Sequence, residues 1–164
     1  MPYLFGYGSL LNDTFNNIYK KISYATLIPT TAFSIRRSFN VHCDWKNPQT
    51  HEIVKYTALG IEYVPYQDSR IINGLIIQLN HTKLTEIIER EHKYKLVFIS
   101  SSLFTYMSPL ENITIDEKVI IFIPIVSEYP DSIYPLNNKY IDNCIKGFSL
   151  CSKQFATDFI ESTY

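Results

Sequence analysis

A glycine loop near the start of the chain offers backbone amide groups to a ligand. The segment from Phe5 to Leu11, FGYGSLL, begins as an apolar run and then places Gly6 and Gly8 around one tyrosine. Glycines let a chain turn tightly and leave the neighbouring N–H groups unshielded. Amide donors that the fold holds in place can bind a carboxylate or a developing oxyanion without reorganising. We therefore predict a strand that ends in a tight loop, and treat the loop as a candidate binding site.

Three other interpretations of this loop follow from its residues. A dinucleotide-binding loop requires a third glycine where this chain has Leu11, and no long helix clearly follows. A nucleophile elbow requires glycines two positions on either side of Ser9, and those positions hold Tyr7 and Leu11. An ordinary tight turn fits the two glycines as well as a binding loop does, so these two interpretations stay open.

Glu91 is the second candidate, because its spacing places it on a helix face. Leu84, Ile87, Ile88 and Glu91 stand at positions i, i+3, i+4 and i+7. On a buried face, desolvation raises the pKa of a carboxyl group, and so does the negative end of the helix dipole. Both effects would make Glu91 a better base near neutral pH. The alternative is that the helix has ended and that Glu91 reaches solvent at the rim, paired with Lys95.

Other combinations of reactive side chains give weaker signals. The four histidines lack the spacing of a helical metal pair and have no paired cysteines nearby, so no metal site is expected. His42 and Cys43 are adjacent, and neighbours in a strand point to opposite faces. Arg36 and Arg37 suit either a clamp for a phosphate or carboxylate or the solvated end of a strand. The three cysteines have no framework spacing, which favours reduced thiols in an intracellular, cytoplasmic protein.

The composition indicates one globular domain that spans residues 1–164. Hydrophobic residues make up 46% and charged residues 19%, which excludes a disordered chain. The formal net charge of -1 gives no basic field, so neither a nucleic acid nor a membrane surface is expected as a partner. The longest apolar run, residues 119–126, is too short to cross a membrane and contains Pro124. The first residues show neither the basic region nor the apolar stretch of a signal peptide.

The elements that must position these residues are predicted from spacing. β-branched and aromatic residues predict strands over residues 3–5, 24–39, 57–64, 71–79, 94–104 and 119–126. Helical spacing predicts a short helix or turn over 12–21, a helix capped by Asn80, and a helical tail over 138–163 in which Gly147 marks a bend or a break. Residues 41–56 are polar and predict a long loop, whereas Asn73-Gly74 marks a bulge or a close backbone approach. Strands outnumber helices without strict alternation, which favours an α+β fold: a curved mixed sheet or small barrel flanked by a few helices.

Several segments, in order along almost the whole chain, resemble the γ-glutamyl cyclotransferase superfamily, which includes the glutathione-specific ChaC branch. FGYGSLL at residues 5–11 is similar to the family's substrate loop, and RRSFN at 36–40 to its basic-aromatic strand end. TALG at 57–60 and INGL at 72–75 resemble its two central strands. EREHKY at 89–94 resembles the segment that carries the family's catalytic glutamate. Residues 132–147 resemble its C-terminal helix, which is entered through a pocket tyrosine, here Tyr140.

The resemblance implies a barrel-like fold flanked by helices, in which the γ-glutamyl group is held by Tyr7, Gly8, Ser9 and Leu10. It implies Glu91 as the general acid/base and Tyr140 as part of the pocket wall. The implied enzyme is a γ-glutamyl cyclotransferase that converts a γ-glutamyl amide into 5-oxoproline (pyroglutamate) and a free amine. It would act on a small γ-glutamyl substrate as a monomer or homodimer, without a metal or another cofactor.

The chemistry is consistent with a chain that has a glycine loop and one glutamate on a helix face. The substrate's own α-amino group is the nucleophile, so no protein nucleophile is required. The ChaC branch continues its loop with a tryptophan where this chain has Asn12, and has a glycine where this chain has Lys93. The leaving amine therefore stays open between glutathione and other γ-glutamyl compounds. Two other functions also stay open: a different γ-glutamyl-removing enzyme on the same scaffold, and a non-catalytic binding or interaction domain.

Overall fold

Six strands form a mixed main sheet, and two further strands form a separate ribbon. The computed structural model describes residues 2–8, 20–106, 115 and 118–163. The strands are β1 (Tyr3–Gly6), β2 (Lys20–Leu27), β3 (Ile35–Lys46), β4 (Ile53–Tyr63), β5 (Ile72–Gln78), β6 (Tyr94–Ser100), β7 (Phe104–Tyr106) and β8 (Lys118–Pro124). The helices are α1 (His81–Arg90), α2 (Asn138–Ser149) and α3 (Lys153–Ser162), with 3₁₀ turns at Tyr66–Asp68 and Ser101–Leu103. The second half of the glycine loop and most of the helix or turn predicted over 12–21 lie outside the described residues.

Strand β1 lies inside the main sheet, with cores on both of its faces. The strand order is β6-β8-β1-β5-β2-β7, and β1 runs parallel to β8 and antiparallel to β5. Successive side chains of a strand point to opposite faces. Leu4 accordingly packs with Ile87 and Phe148 beneath the helices, whereas Phe5 packs with Phe104 in the core on the other face. Because both faces of the sheet are covered here, the residues of β1 are apolar in succession and do not alternate with polar ones. The start of the glycine loop, which follows β1, is therefore held in a fixed position.

The predicted α+β class is confirmed, and so is the close approach at Asn73-Gly74. A Cβ atom added to Gly74 would lie 2.3 Å from the Gly6 carbonyl oxygen, so β1 passes too near for any side chain there. The described strands form an open sheet with β6 and β7 at its edges, and they do not close into a barrel. The strand predicted over 24–39 is divided, because β2 and β3 belong to different sheets. The described helices are all too short or too polar to span a membrane.

The prediction of a long loop over residues 41–56 is wrong, since most of this segment belongs to the β3–β4 ribbon. The two strands pair antiparallel along their whole length, with a register shift between Phe39 and Val41. An antiparallel ribbon with one solvated face carries polar residues at every second position. Here such residues include Asp44 and Lys55, directly opposite each other and joined by a 2.8 Å ion pair. Their polarity made a paired segment resemble a loop.

Hydrogen bonds from outside the ribbon join the outer edge of β4 to the rest of the molecule. The Leu59 N–H group donates to Tyr140 Oη at 3.0 Å, and the Leu59 carbonyl accepts from Tyr94 Oη at 2.7 Å. The Thr57 N–H group donates to the Pro135 carbonyl at 3.0 Å. A strand edge otherwise leaves such backbone groups unpaired. These contacts therefore satisfy the edge and also fix the ribbon against the main sheet.

Helix α1 begins where predicted, but its buried face is narrower than predicted. Asn80 caps the helix, because its side-chain oxygen accepts a hydrogen bond from the Lys83 N–H group at 2.8 Å. Ile87 is 1% exposed, whereas Ile88 is 44% exposed and does not belong to the buried face. Neighbouring helical residues point about 100° apart, so a helix that packs on one side buries only one of such a pair. The helix ends at Arg90, one residue before Glu91.

The predicted helical tail is two helices rather than one. Gly147 is buried inside α2 and does not interrupt it; the helix instead ends at Ser149. Ser152 then caps α3 by accepting the Phe155 N–H bond at 3.0 Å. The two helices pack against each other, and the apolar residues Cys144, Phe148, Phe155 and Phe159 are buried there. The rings of Phe148 and Phe159 stack there with their centroids 4.2 Å apart.

Arg37 is a fully buried side chain that joins β3 to three other segments. Its guanidinium donates to the Tyr7 carbonyl at 2.9 Å and to both the backbone and side-chain oxygens of Asn73 at 2.8 Å. It also donates to the hydroxyls of Ser162 and Thr163 at 2.8 and 2.9 Å, just beyond the last turns of α3. The end of β1, the start of β5 and the end of α3 therefore meet at one cation.

The surroundings of Arg37 contradict both interpretations offered for it from the sequence. These hydrogen-bond partners are neutral oxygens, and the rings of Phe148 and Phe159 lie 5.1 and 4.4 Å from the guanidinium carbon. Burial lowers the pKa of Arg37, because the charged form has lost its water. The side chain is thus neither a clamp for a ligand nor a solvated strand end. Its neighbour Arg36 pairs with Glu62 at 3.0 Å.

Replacing Arg37 with lysine should destabilise the fold although the charge is kept. The guanidinium also reaches the Phe159 carbonyl at 3.5 Å, which makes six neutral oxygens. An ammonium group has three donors and no planar fork, so it cannot serve all six. A buried polar group left without a partner costs about 1–3 kcal/mol. We expect the free energy of unfolding of Arg37→Lys, measured by urea denaturation, to fall by about 2–4 kcal/mol.

Arg36→Lys is the matched control for this prediction. The Arg36 side chain is 19% exposed, and a lysine can keep the ion pair with Glu62. Its loss of stability should stay below about 1 kcal/mol. Equal losses in the two variants would show that the buried hydrogen-bond network of Arg37 contributes nothing beyond its charge.

Candidate functional site

A cavity of about 300 Å³ lies between the end of β1, the β3–β4 ribbon and the turn that follows α1. Its walls are formed by residues 5–8, 43–45, 56, 58–59, 90–94, 122 and 140. Four of the six predicted site residues line it: Tyr7, Gly8, Glu91 and Tyr140. The other two, Ser9 and Leu10, lie outside the described residues. The fold thus brings together positions that are about 80 residues apart in the chain, although their part in binding or catalysis stays a prediction.

The turn after β1 is fixed by both polar groups of Tyr7. Its carbonyl accepts from Arg37, and its hydroxyl donates to the Phe122 carbonyl on β8 at 2.6 Å. Burial, followed by the nearby charge of Glu91, raises the pKa of Tyr7, so the phenol stays neutral and remains a donor. The Tyr7 hydroxyl is therefore already hydrogen-bonded to the protein, and Tyr7 contributes to the cavity as part of its wall.

Gly8 follows at the wall of the cavity and leaves room there. A Cβ atom built on Gly8 would lie 3.5 Å from Leu59 Cδ1 and 4.0 Å from Tyr140 Oη, both ordinary contacts. The backbone of Gly8 is not in the left-handed region, so the fold itself tolerates a side chain at this position. Its lack of one keeps the space beside Leu59 and Tyr140 open to a ligand.

Glu91 is held by the turn that ends α1. Its N–H group donates to the Ile87 carbonyl at 2.8 Å, and its own carbonyl accepts from the Tyr94 N–H group at 3.0 Å. The carboxylate lies 3.5 Å from Arg90 Nε, and the Glu91 side chain is 21% exposed. The backbone is therefore fixed on both sides of Glu91 while the carboxylate stays within reach of solvent.

Of the two predictions made for Glu91, the structure agrees in part with the alternative. The helix has ended, since Glu91 lies one residue beyond it rather than on its buried face, and the side chain is partly exposed. The carboxylate is close to Arg90, whereas the alternative paired it with Lys95. Its negative charge nevertheless acts inside the cavity. After burial, this charge is the next contribution that raises the pKa of Tyr7, and it also adds to the raised pKa of Cys43. Glu91 is thus electrostatically coupled to both walls, the β1 turn and the ribbon.

Tyr140 reaches the cavity from the first turn of α2. Asn137 caps this turn by accepting the Tyr140 N–H bond at 3.0 Å. The Tyr140 hydroxyl oxygen accepts from the Leu59 N–H group, so its own proton is not used in that bond. Burial raises the pKa of Tyr140 well above its ordinary value, which keeps the proton in place at neutral pH. A side-chain hydrogen bond with Cys144 also contributes to this raised pKa, so the Tyr140 hydroxyl lies between the Leu59 N–H group and the Cys144 thiol at the cavity wall.

The ribbon wall contains residues that the sequence reasoning missed. Cys43, Trp45 and Tyr56 line the cavity beside Ala58. Burial raises the pKa of Cys43 to about 11, so at neutral pH this residue is a thiol and a poor nucleophile. Strand alternation places residues 43 and 45 on one face, and residues 56 and 58 on the same face of the paired strand, but only the pairing of β3 with β4 brings that face to the cavity.

The described residues also show where the cysteines and His42 lie. Cys43, Cys144 and Cys151 form no disulfide with one another. Cys43 lines the cavity while its neighbour His42 bonds to the Tyr129 carbonyl at 2.7 Å, so the two do not form a dyad, as predicted. Within the ranges that the structure describes, no three His, Cys, Asp or Glu side chains are gathered as a metal site would require.

Of the comparisons with known proteins, only the one with solved structures finds similar proteins. No protein-family model matches the chain, and no curated protein matches it. A solved γ-glutamyl cyclotransferase superimposes with a TM-score of 0.60 at 12% identity, over 97% of this chain and 86% of that one. An uncharacterized protein from Homo sapiens superimposes with a TM-score of 0.60 at 13% identity, over 96% of this chain and 85% of that one.

A third solved structure is longer than this chain. YkqA from Bacillus subtilis superimposes with a TM-score of 0.56 at 14% identity, over 98% of this chain and 53% of its own. The chain therefore spans about half the length of YkqA. At these identities the likeness is one of fold, and the chain has the fold of the γ-glutamyl cyclotransferase-like proteins.

Proposed function

We propose that this protein is a γ-glutamyl cyclotransferase, which converts a γ-glutamyl amide into 5-oxoproline and a free amine. The observation that carries the proposal is that Glu91 lines one cavity together with the Tyr7–Gly8 turn and Tyr140. The fold shared with a solved γ-glutamyl cyclotransferase supports it. A proton acceptor, a glycine turn and a hydroxyl donor around a small cavity are the groups that this reaction uses.

The reaction is an internal aminolysis that conserves every atom of the substrate. The substrate's α-amino nitrogen attacks its own γ-carbonyl carbon, and the new C–N bond closes a five-membered lactam. The C–N bond to the leaving amine then breaks. One proton moves from the attacking nitrogen to the leaving nitrogen, so neither water nor a co-reactant is consumed. Because both reacting groups belong to one molecule, a cavity that folds the substrate captures much of an advantage of about 7–11 kcal/mol.

Glu91 is proposed as the group that moves the proton. A free α-amine has a pKa of about 7.7–8.0 and is largely protonated at neutral pH, so it cannot attack before it loses a proton. The Glu91 carboxylate accepts that proton and releases it to solvent, which yields the neutral amine. As the lactam forms, the attacking nitrogen loses a second proton, which Glu91 accepts and delivers to the leaving nitrogen, acting as base and then as acid. Its partial exposure suits this role, because a fully buried carboxylate would not remain ionised without a dedicated partner.

The developing negative charge on the γ-carbonyl oxygen needs donors that are already in place. We assign this task to Tyr140, whose hydroxyl accepts from Leu59 N–H and keeps its own proton, and to the backbone of the turn at Gly8. Ser9 and Leu10 extend the same turn in the sequence. We further propose that the single domain uses neither metal nor organic cofactor and works in the cytoplasm as a monomer or homodimer.

Glu91→Gln should abolish most turnover and leave the fold intact. Glutamine has nearly the same shape but cannot accept the ammonium proton, and general acid–base catalysis contributes about 10²–10⁴-fold. We expect 5-oxoproline formation from γ-glutamyl amino acids to fall by at least about 100-fold. The rate is measured by quantifying 5-oxoproline, and thermal unfolding verifies that the variant is folded.

Glu89→Gln provides the matched control for that experiment. Glu89 is exposed on α1, only two residues away, and is not part of the cavity wall. This variant should turn over like the wild-type protein. A folded Glu91→Gln protein with wild-type turnover would show that the proton acceptor has been assigned wrongly.

Gly8→Ala should weaken substrate binding without destabilising the protein. The added methyl group finds ordinary contacts at 3.5 Å or more, so the free energy of unfolding should change by less than about 1 kcal/mol. The same methyl group occupies the space between Leu59 and Tyr140, so KM for γ-glutamyl amino acids should rise by about tenfold or more. Steady-state kinetics and urea denaturation measure the two effects.

Gly74→Ala is the contrasting variant, because there the added Cβ atom meets the Gly6 carbonyl oxygen at 2.3 Å. Overpacking of this kind typically costs about 1–3 kcal/mol, so Gly74→Ala should lose stability where Gly8→Ala does not. Unchanged KM in a stable Gly8→Ala protein would mean that the substrate does not occupy the space beside Gly8.

A further inference from the structure

The β3–β4 ribbon has two faces of different character. On one face, Cys43 stands opposite Tyr56, and Trp45 stands opposite Val54. Residues directly opposite each other in an antiparallel pair share a face, as do every second residues of one strand. This face is uncharged, and three of these four residues line the cavity: Cys43, Trp45 and Tyr56.

The other ribbon face carries the charges and is covered by the chain between β8 and α2. His42 is stacked on Tyr134 with ring centroids 4.3 Å apart, and its imidazole lies 3.4 Å from Glu128. Asp44 reaches the mouth of the cavity, but its carboxylate is paired with Lys55 at 2.8 Å. Asp44 is thus paired at the mouth, and the face that Cys43, Tyr56 and Trp45 present to the cavity is uncharged.

The apolar wall runs outward from the candidate reaction centre. Ala58, next to Leu59 and so near the Gly8 turn, is 4% exposed. Tyr56 and Cys43 follow as half-buried residues, and Trp45 stands at the outer end with 46% exposure. Tyr56 also contacts Tyr140, with ring centroids 5.1 Å apart. The cavity is also lined by Arg90, His92 and Lys93, and along the ribbon side a ligand whose reacting group lies beside Gly8 extends past Tyr56 towards Trp45.

We infer that Trp45 is a specificity-determining residue that binds a large apolar side chain on the leaving amine. The preferred substrates would then be γ-glutamyl derivatives of amino acids such as leucine. This inference rests on the proposed function, which places the γ-glutamyl group at Gly8 and the leaving amine towards the mouth. A tryptophan ring half exposed at the end of an apolar wall gains most by being covered with an apolar group.

The test compares γ-glutamyl-L-leucine with γ-glutamylglycine, which lacks the side chain. For the wild-type protein, kcat/KM should favour the leucine compound by about tenfold or more, since a buried apolar side chain contributes that much discrimination. Trp45→Ala should remove most of this preference, and Trp45→Phe should retain part of it. Ile160→Ala is the matched control: Ile160 is 55% exposed on α3 and is not part of the cavity wall, so the preference should be unchanged.

A second readout does not depend on turnover. Trp45 is the single tryptophan of the chain, so its emission reports on this position alone. In the Glu91→Gln protein, γ-glutamyl-L-leucine should shift the emission to shorter wavelength as the ring is covered, and γ-glutamylglycine should shift it less.

The outcomes separate this inference from the proposed function. A leucine preference that persists in Trp45→Ala would overturn the inference while the cyclotransferase activity stands. If neither compound yields 5-oxoproline, the proposed function fails, and the emission titration then decides: a shift that requires the leucine side chain supports the Trp45 site, and an equal shift or none overturns it.

Discussion

One buried cation constrains the arrangement on which the cavity depends. Removing a guanidinium from water costs several kcal/mol, so Arg37 can be buried only where enough oxygens surround it. The oxygens come from Tyr7 at the end of β1, from Asn73 on β5, and from Ser162 and Thr163 at the end of α3. The C-terminal end of a helix also carries partial negative charge, which favours a cation there. Each of these segments is therefore held in place relative to β3.

Hydrogen bonds at Tyr7 and Leu59 fix the walls of the cavity. Arg37 fixes the Tyr7 carbonyl, and so the start of the turn that contains Gly8. On the opposite side, the turn that holds Glu91 leads into Tyr94, whose hydroxyl bonds to the Leu59 carbonyl, while Tyr140 accepts the Leu59 N–H bond. Burial raises the pKa of Tyr7 and Tyr94, so these phenols stay neutral and keep donating to the Phe122 and Leu59 carbonyls, which a phenolate could not do. The walls are thus positioned by hydrogen bonds between buried or half-buried side chains and backbone groups.

Much of the site could be predicted because its signals are local. An apolar strand that ends in glycines, the Asn80 cap and a glutamate near the end of an amphipathic helix are all readable within a few residues. The loop prediction for residues 41–56 was wrong because the polar residues on the outer face of the ribbon made the whole segment resemble a solvent-exposed loop. The burial of Arg37 could not be predicted, since its partner Thr163 is 126 residues away. For the same reason Trp45 and Tyr56 were missed: only the pairing of β3 with β4 places them beside Glu91.

The γ-glutamyl group is proposed to bind between the turn at Gly8 and Glu91, and a ligand-bound crystal structure is the decisive measurement. The Glu91→Gln protein with γ-glutamyl-L-leucine is the suitable complex, because turnover is suppressed. We expect the substrate's α-amino nitrogen within about 3.2 Å of the residue 91 side chain, and its γ-carbonyl oxygen at a similar distance from Tyr140 Oη or the Gly8 turn. A γ-glutamyl group found at the mouth beside Trp45, or outside the cavity altogether, would show that this binding mode is wrong.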